Sequence, residues 1–271
     1  MNTLDPDLTL AAVQMNSGDR LEKNLASAAQ LIQMAAEGGA DIVVLPENFS
    51  LMPTTTTQRH QAAARAGEVQ EFLSSSARDS GVCLVAGSTP FPAADGRVTN
   101  TCLAFDRTGS LLGRYDKIHL FDVNVAPGES YQESSYIMPG SEPVNVTAVG
   151  VTIGLTICYD LRFPELYRAL GAQGAEMFTV PSAFTVATGT AHWHSLLRAR
   201  AIENLAWVIA PAQVGSHPGG RATFGHSLII DPWGEVLAEA ASEPGVIVAP
   251  MERAKGARRR RTFPVLRHRR L

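Results

Sequence analysis

Lysine is nearly missing from this chain. Of its 23 basic residues only Lys23, Lys117 and Lys255 are lysines, and the rest are arginines. Cysteine is equally sparse. Cys83, Cys102 and Cys158 are an odd number at wide spacing, which fits neither a disulfide framework nor a cysteine-based zinc site. The expected compartment is therefore the reduced cytoplasm. No apolar run approaches the roughly 20 residues that a membrane span needs. The start, Met1-Asn2-Thr3-Leu4-Asp5-Pro6-Asp7, lacks the basic opening and apolar middle of a signal peptide. There is no His-Glu-x-x-His and no paired Cys-x-x-Cys, and His192 and His194, two apart, fall on different faces of a helix. No metal is expected. No Gly-x-Gly-x-x-Gly opens a helix and no Walker loop is present, so no nucleotide or other cofactor is expected either.

What the chain does have is bulk: 271 residues, 45% hydrophobic, and no linker dividing them. That reads as one domain over 1–271 with a single large core. Its most informative residue is Cys158. An apolar, β-branched run, Val151-Thr152-Ile153-Gly154-Leu155-Thr156-Ile157, leads into it and predicts a strand through Cys158. Pro164-Glu165 then reads as the first turn of a helix, with Pro at N1 and Glu at the positive end of the dipole. A thiol on a tight strand-to-helix turn, near free N–H groups, is where a thiolate can be held ready. A cysteine after a strand reads first as a structural thiol. Two companions change that reading. Glu47 also follows an apolar strand, in Val43-Val44-Leu45-Pro46-Glu47-Asn48-Phe49. Lys117 follows another, in Arg114-Tyr115-Asp116-Lys117-Ile118-His119-Leu120. A lysine in so arginine-rich a chain points to a need for a compact ammonium. Either residue alone would be an ordinary surface ion-pair partner.

Taken together these segments resemble the nitrilase, or carbon–nitrogen hydrolase, superfamily, whose triad is Glu-Lys-Cys. The likeness continues through Thr188-Gly189-Thr190-Ala191-His192-Trp193, Arg198 to Asn204 and Gly225-His226-Ser227, and so covers nearly the whole chain. Within the superfamily it is similar to the Nit-type amidases, the branch of deaminated glutathione amidase and omega-amidase. Tyr159-Asp160 stands after the cysteine where true nitrilases typically have Trp-Glu, which favours amides over nitriles. The resemblance implies Cys158 as nucleophile, Glu47 as base and Lys117 at the oxyanion. It implies Glu133 as a further glutamate orienting Lys117 or substrate. Tyr159, through its backbone N–H, and Phe184 are the candidates for oxyanion and substrate binding. The implied reaction releases ammonia from a small carboxylate-bearing amide, with deaminated glutathione favoured. The alternatives are omega-amidase action on 2-oxo dicarboxylate amides, hydrolysis of an N-carbamoyl amino acid, or a non-catalytic scaffold. Loops 49–57, 182–190 and 214–224 would set specificity. Arg162, Arg198 and Arg221 are candidate carboxylate partners, with Arg162 expected to pair with Asp160 or with other acids of the core turn.

An internal duplication predicts the fold. Strand, helix, strand, helix, strand and hairpin occur in that order twice. Gly39-Ala40-Asp41 to Phe49 parallels Gly174-Ala175-Glu176 to Phe184, and the hairpin turns at Asp106–Gly109 and Asp231–Gly234 match. Two helix-covered sheets packed face to face give a four-layer αββα sandwich with a pseudo-two-fold relation between halves, as the family resemblance also implies. Ligands of such sheets bind at the carboxyl ends of strands.

Charge is uneven. Residues 252–271 hold nine basic residues and one acid, so the body before them carries 14 basic against 25 acidic residues, or −11. An acidic body argues against nucleic acid as a partner of the Arg258–Arg261 run. Phe263, Pro264, Val265 and Leu266 interrupt the basic run as a packing segment would. The tail is expected to serve as a subunit interface in a homodimer or higher even assembly.

Overall fold

Alternation along the first strands has a direct physical outcome: the inner strands are buried on both faces, against different partners. β1 (Leu8–Gln14), β2 (Ile42–Leu45), β3 (Cys83–Pro92), β4 (Val98–Phe105) and β5 (Leu111–Asp116) form one sheet. Leu8, Leu10, Ala12, Ile42, Val44 and Val85 point into the layer between the sheets. Their neighbours Ala11, Val13, Val43, Leu45 and Leu84 point the other way, against α1 (Leu21–Glu37) and α3 (Ala66–Ser80). The short α2 (Thr56–Ala64) precedes α3 and packs against β3; it is capped by Thr55, whose Oγ1 accepts from Gln58 N at 3.2 Å. The described residues of this computed structural model are 7–126 and 129–270. Residues 1–6, most of the segment read above for a signal peptide, and Leu271 lie outside them.

A two-stranded ribbon, β6 (Asp122–Ala126) with β7 (Glu129–Gln132), follows the first sheet. The second sheet holds β8 (Val144–Ala148), β9 (Val151–Leu155), β10 (Met177–Thr179), β11 (Trp207–Ala210), β14 (Leu228–Ile230) and β15 (Val236–Glu239). A small hairpin, β12 (Val214–Ser216) with β13 (Ala222–Phe224), precedes β14. α4 (Pro164–Ala172) and α5 (Val186–Asn204) pack on the second sheet through Leu166, Tyr167, Leu170, Trp193 and Leu197. β16 (Gly245–Met251) then returns to pair antiparallel with β1 in the first sheet.

The strand orders are β16-β1-β2-β3-β4-β5 and β15-β14-β11-β10-β9-β8. In each half three parallel strands are followed by two antiparallel ones, and an antiparallel strand flanks the first. The repeat read from the sequence is thus present as strand order and connectivity. β1 lies against β11 and β14, and β5 against β8, so the order of layers is helix, sheet, sheet, helix. The predicted turns occur at Asp106 and Asp231, with Gly109 and Gly234 at φ of 83° and 82°.

The basic tail is a helix, α6 (Arg253–Thr262), folded back on its own chain. Arg260 donates to Leu205 O and Ala175 O, each at 2.9 Å, and Lys255 pairs with Asp231 at 3.1 Å. Arg259 covers the Trp233 ring, and Phe263 meets that ring edge-on. Part of the tail's charge is therefore used within the chain. Among the described residues no helix is long and apolar enough to cross a membrane.

Candidate active site

Three chain segments converge just beyond the carboxyl ends of β2, β5 and β9. Glu47 comes two residues after β2, on a turn where Asn48 takes a left-handed φ of 58°. Asn48 N donates to Ser88 Oγ at 2.9 Å and Gln213 Nε2 donates to Glu47 O at 3.0 Å, which fix the turn. Gly87 lets β3 pass beneath it: a Cβ there would lie 2.1 Å from Leu45 O and 2.2 Å from Pro46 O. Lys117 directly follows β5, its N–H donating to Asn100 O and its carbonyl accepting from Gly140 N, both at 2.9 Å. Cys158 opens a 3-10 turn, Cys158–Arg162. β9 ends at Leu155, three residues short of the expected boundary, because Cys158 has left extended backbone for φ 49°.

A left-handed non-glycine residue costs roughly 1–2 kcal/mol, and Asp160 supplies the compensation. Fully buried, its carboxylate accepts from Ile157 N at 2.8 Å, Tyr115 Oη at 2.7 Å and His119 N at 3.1 Å, and also contacts His119 Nδ1 at 2.7 Å. This ties the Cys158 turn to the end of β5, and hence to Lys117. The expected Arg162–Asp160 pair does not form, since those other groups occupy the carboxylate. Arg162 instead reaches His192 at 3.3 Å and lies over the Tyr159 and Phe184 rings.

The side chains meet as a buried charge cluster. Lys117 Nζ is 2.9 Å from Glu47 Oε1 and 3.0 and 2.9 Å from the two oxygens of Glu133. Lys117, Glu47 and Cys158 are 2%, 3% and 8% exposed. Asn100 Nδ2 donates to Glu47 Oε1 at 3.0 Å, and Phe121 N donates to Glu133 Oε2 at 2.7 Å. Burial works to raise Glu47, but the charge and hydrogen bond of Lys117 outweigh it and hold the carboxyl below its ordinary value. Burial works to lower Lys117, yet Glu133 first and Glu47 second keep it firmly an ammonium. Cys158 moves opposite to the sequence expectation. Burial, then the adjacent Glu47 charge, push the thiol well above its ordinary value, against the smaller pulls of Lys117 and the Ala183 backbone N–H. The upward shift favours a neutral thiol beside Glu47 over a stored thiolate. Such an arrangement can pass one proton from sulfur to carboxylate as the sulfur attacks.

The cluster lines a pocket of about 750 Å³, counting its open mouth. Glu47, Lys117, Glu133, Cys158, Tyr159 and Phe184 all border it, so the six candidate catalytic and binding residues are brought to one place. Each of the three expected loops contributes: Leu51 and Pro53, then Ala183 to Thr185, then Arg221. Arg198 does not, because its Nε donates to Gly234 O at 2.9 Å. Sequence reading missed Arg59 of α2, which lines the pocket with its guanidinium 3.9 Å from the centre of the Tyr136 ring. It also missed the Ala183 N–H and the anchoring by Asp160. Arg59 sits in a polar helix with no pattern to mark it.

A layered fold with this cluster at its strand ends defines the class: the family model described as carbon-nitrogen hydrolase matches residues 9–261, and the chain belongs to that family. It is 46% identical over 263 residues to a deaminated glutathione amidase of Synechocystis, covering 96% of this chain and 97% of that one. It is 36% identical over 261 residues to the omega-amidase NIT2 of Mus musculus, covering 96% and 94%. The C. elegans NitFhit structure superposes with a TM-score of 0.91 at 36% identity, covering 97% of this chain and 65% of that longer one. The chain is a carbon–nitrogen hydrolase of the Nit branch of the nitrilase superfamily.

Proposed function

We propose that the chain hydrolyses a small, carboxylate-bearing amide to the acid and ammonia through a thioester on Cys158. The observation that carries this reading is the meeting of a buried cysteine, a carboxylate and a doubly paired ammonium in one pocket. The sulfur attacks the amide carbon as its proton passes to Glu47. The carbonyl oxygen takes up the negative charge, facing Lys117 and the Tyr159 N–H; one such donor is typically worth about 3–4 kcal/mol of barrier. Glu47 then gives its proton to the departing nitrogen as the carbon–nitrogen bond breaks. Water, losing a proton to Glu47, attacks the thioester, and that proton returns to the sulfur. Glu133 is a positioning residue: its bidentate hold on Nζ keeps Lys117 charged and aimed.

Support for a carboxylate on the substrate comes from Arg59 and Arg221. Both line the pocket, and among the described residues neither makes an ion pair. Arg221 Nη2 donates to Ala183 O at 2.6 Å, but its buried Nε has no hydrogen-bond partner. A half-buried cation with a buried, unpaired N–H and no anion would be satisfied by a substrate carboxylate. The relatives named deaminated glutathione amidase and omega-amidase favour deaminated glutathione first and α-ketoglutaramate second. The test is kcat/KM for these two amides, an N-carbamoyl amino acid and propionamide, read by ammonia release. The reading predicts that a carboxylated amide is best; a preference for propionamide or the carbamoyl compound would overturn it.

Residues 1–271 would act as one domain, with 252–271 as an interface tail in a homodimer or larger even assembly. Half-exposed Phe263 and Trp233 support that role. Sedimentation of Phe263→Glu should show a smaller species than wild type, and an unchanged assembly would count against it. The three cysteines, all free and buried, support a reducing compartment such as the cytoplasm.

A further inference from the structure

His194, His226 and Glu239 are far apart in the chain yet converge on a single oxygen. His194 lies on α5, His226 on the turn between β13 and β14, and Glu239 ends β15. Glu239 Oε1 is 3.0 Å from His194 Nε2 and 2.7 Å from His226 Nδ1. One ligand-capable atom from each residue falls within 4.8 Å of the other two. None of the three lines the Cys158 pocket. All three are between 37% and 39% exposed, so the cluster opens to solvent.

The imidazoles are held rather than loose. His226 takes a left-handed φ of 55°, and its carbonyl accepts from Trp193 Nε1 at 2.7 Å. Its ring stacks on Phe224 at 4.4 Å, and the His194 ring meets it edge-on at 5.7 Å. Two imidazoles and a carboxylate are a ligand set for zinc and its first-row neighbours, not for magnesium or calcium, which prefer oxygen alone. At bond lengths of about 2.0–2.1 Å, tetrahedral donors lie about 3.3–3.5 Å apart. Small rotations of these half-exposed side chains would bring the present spacings to that value.

We propose that His194, His226 and Glu239 bind one divalent transition-metal ion per chain, zinc or a close neighbour, with water as the fourth ligand. The ion would take the ring nitrogens that now face Glu239, any proton on them moving to the ring's other nitrogen or to water. The site joins α5, the turn after β13 and β15. β13 begins directly after Arg221, which lines the pocket. Phe224, stacked on His226, presses on α5 so closely that a Cβ at Gly189 would lie 2.3 Å from its ring. An occupied site would therefore brace the wall that carries Arg221.

The test is calorimetric titration of zinc chloride into the full chain carrying Cys158→Ala, which removes the pocket thiol as a competing ligand. The proposal predicts one equivalent bound. His194→Gln, His226→Ala and Glu239→Gln should each weaken binding about tenfold or more, since even the outer partners of metal ligands are worth that much. His192→Ala should leave affinity unchanged. Cobalt in place of zinc should give the visible absorption of a four-coordinate ion, lost in the same three variants. Glu239→Gln keeps the side chain's shape, and circular dichroism checks that each variant is folded. No binding at about 0.1 mM zinc, or binding indifferent to all three substitutions, would overturn the site.

Discussion

The two halves of the fold share a strand order and differ at their strand ends. Leu10 pairs with Ile42 in the first half as Ile153 pairs with Met177 in the second. Counted from that register, Pro46 corresponds to Pro181, Glu47 to Ser182, and Cys158 to Met15. Both turns keep the proline, but Ser182 Oγ merely donates to Val180 O at 3.0 Å, and Met15 is buried apolar bulk. The lesson is a division of labour. The repeated scaffold supplies strand ends that face one pocket, and the departures from the repeat supply the chemistry: an acid and an ammonium from one half, a thiol from the other.

The comparison breaks most sharply at its paired positions. Cys158→Ala should lower kcat by at least about 10⁴-fold with the protein still folded by circular dichroism, because only a small group is lost. Met15→Leu, a volume-conserving change, should stay within about threefold. Next in size is Lys117→Met. It leaves Glu47 and Glu133 buried without their cation and removes an oxyanion donor. We expect a loss of about 10²–10³ in kcat and about 3–5 kcal/mol of stability, read from a urea melt. Asp160→Asn should cost about 10–100-fold in kcat with KM nearly unchanged, since misplacing a reacting atom by an ångström is enough for that.

The pH profile follows from opposed shifts. Glu47 is held below its ordinary value of 4.5, so its share of stability is complete above that pH and is lost as pH falls through the lower folded value. Cys158 is held above its ordinary value of 9.0. The kcat/KM profile should be flat from about pH 6 to 9 and fall about tenfold per unit on the acid side, below the ordinary carboxylate range. A tenfold rise per unit between pH 7 and 9 would instead mark a thiolate as the reactive form and contradict the neutral thiol. The smallest effect belongs to Ser182→Ala. Measured kcat/KM should stay within about twofold, which sharpens the contrast with its counterpart Glu47.

Much of this was legible in the chain because the relevant signals are local. Alternating apolar strands, Asp-x-x-Gly turns and the segments around Glu47, Lys117 and Cys158 each announce themselves within a few residues. The helix start at Pro164 came out right, since Pro at N1 marks it. What stayed hidden depends on distance and burial. The end of β9 was misjudged because φ at Cys158 is imposed by Asp160 and its partners Tyr115 and His119, which lie over forty positions away. The thiol's upward shift comes from enclosure beside Glu47, and a strand-to-helix turn alone implied the reverse. Arg59 reaches the pocket only through the packing of α2, and His194, His226 and Glu239 meet only once the second sheet has closed.

The central claim is that residues from both halves combine to make a thioester on Cys158. Acid-quenching the wild-type enzyme during turnover of deaminated glutathione, followed by peptide mass spectrometry, tests it most directly. The account predicts an acyl adduct on the peptide containing Cys158, with one equivalent of ammonia released in the first turnover and neither signal in Cys158→Ala. An adduct on Cys83 or Cys102, or undiminished turnover by Cys158→Ala, would contradict it.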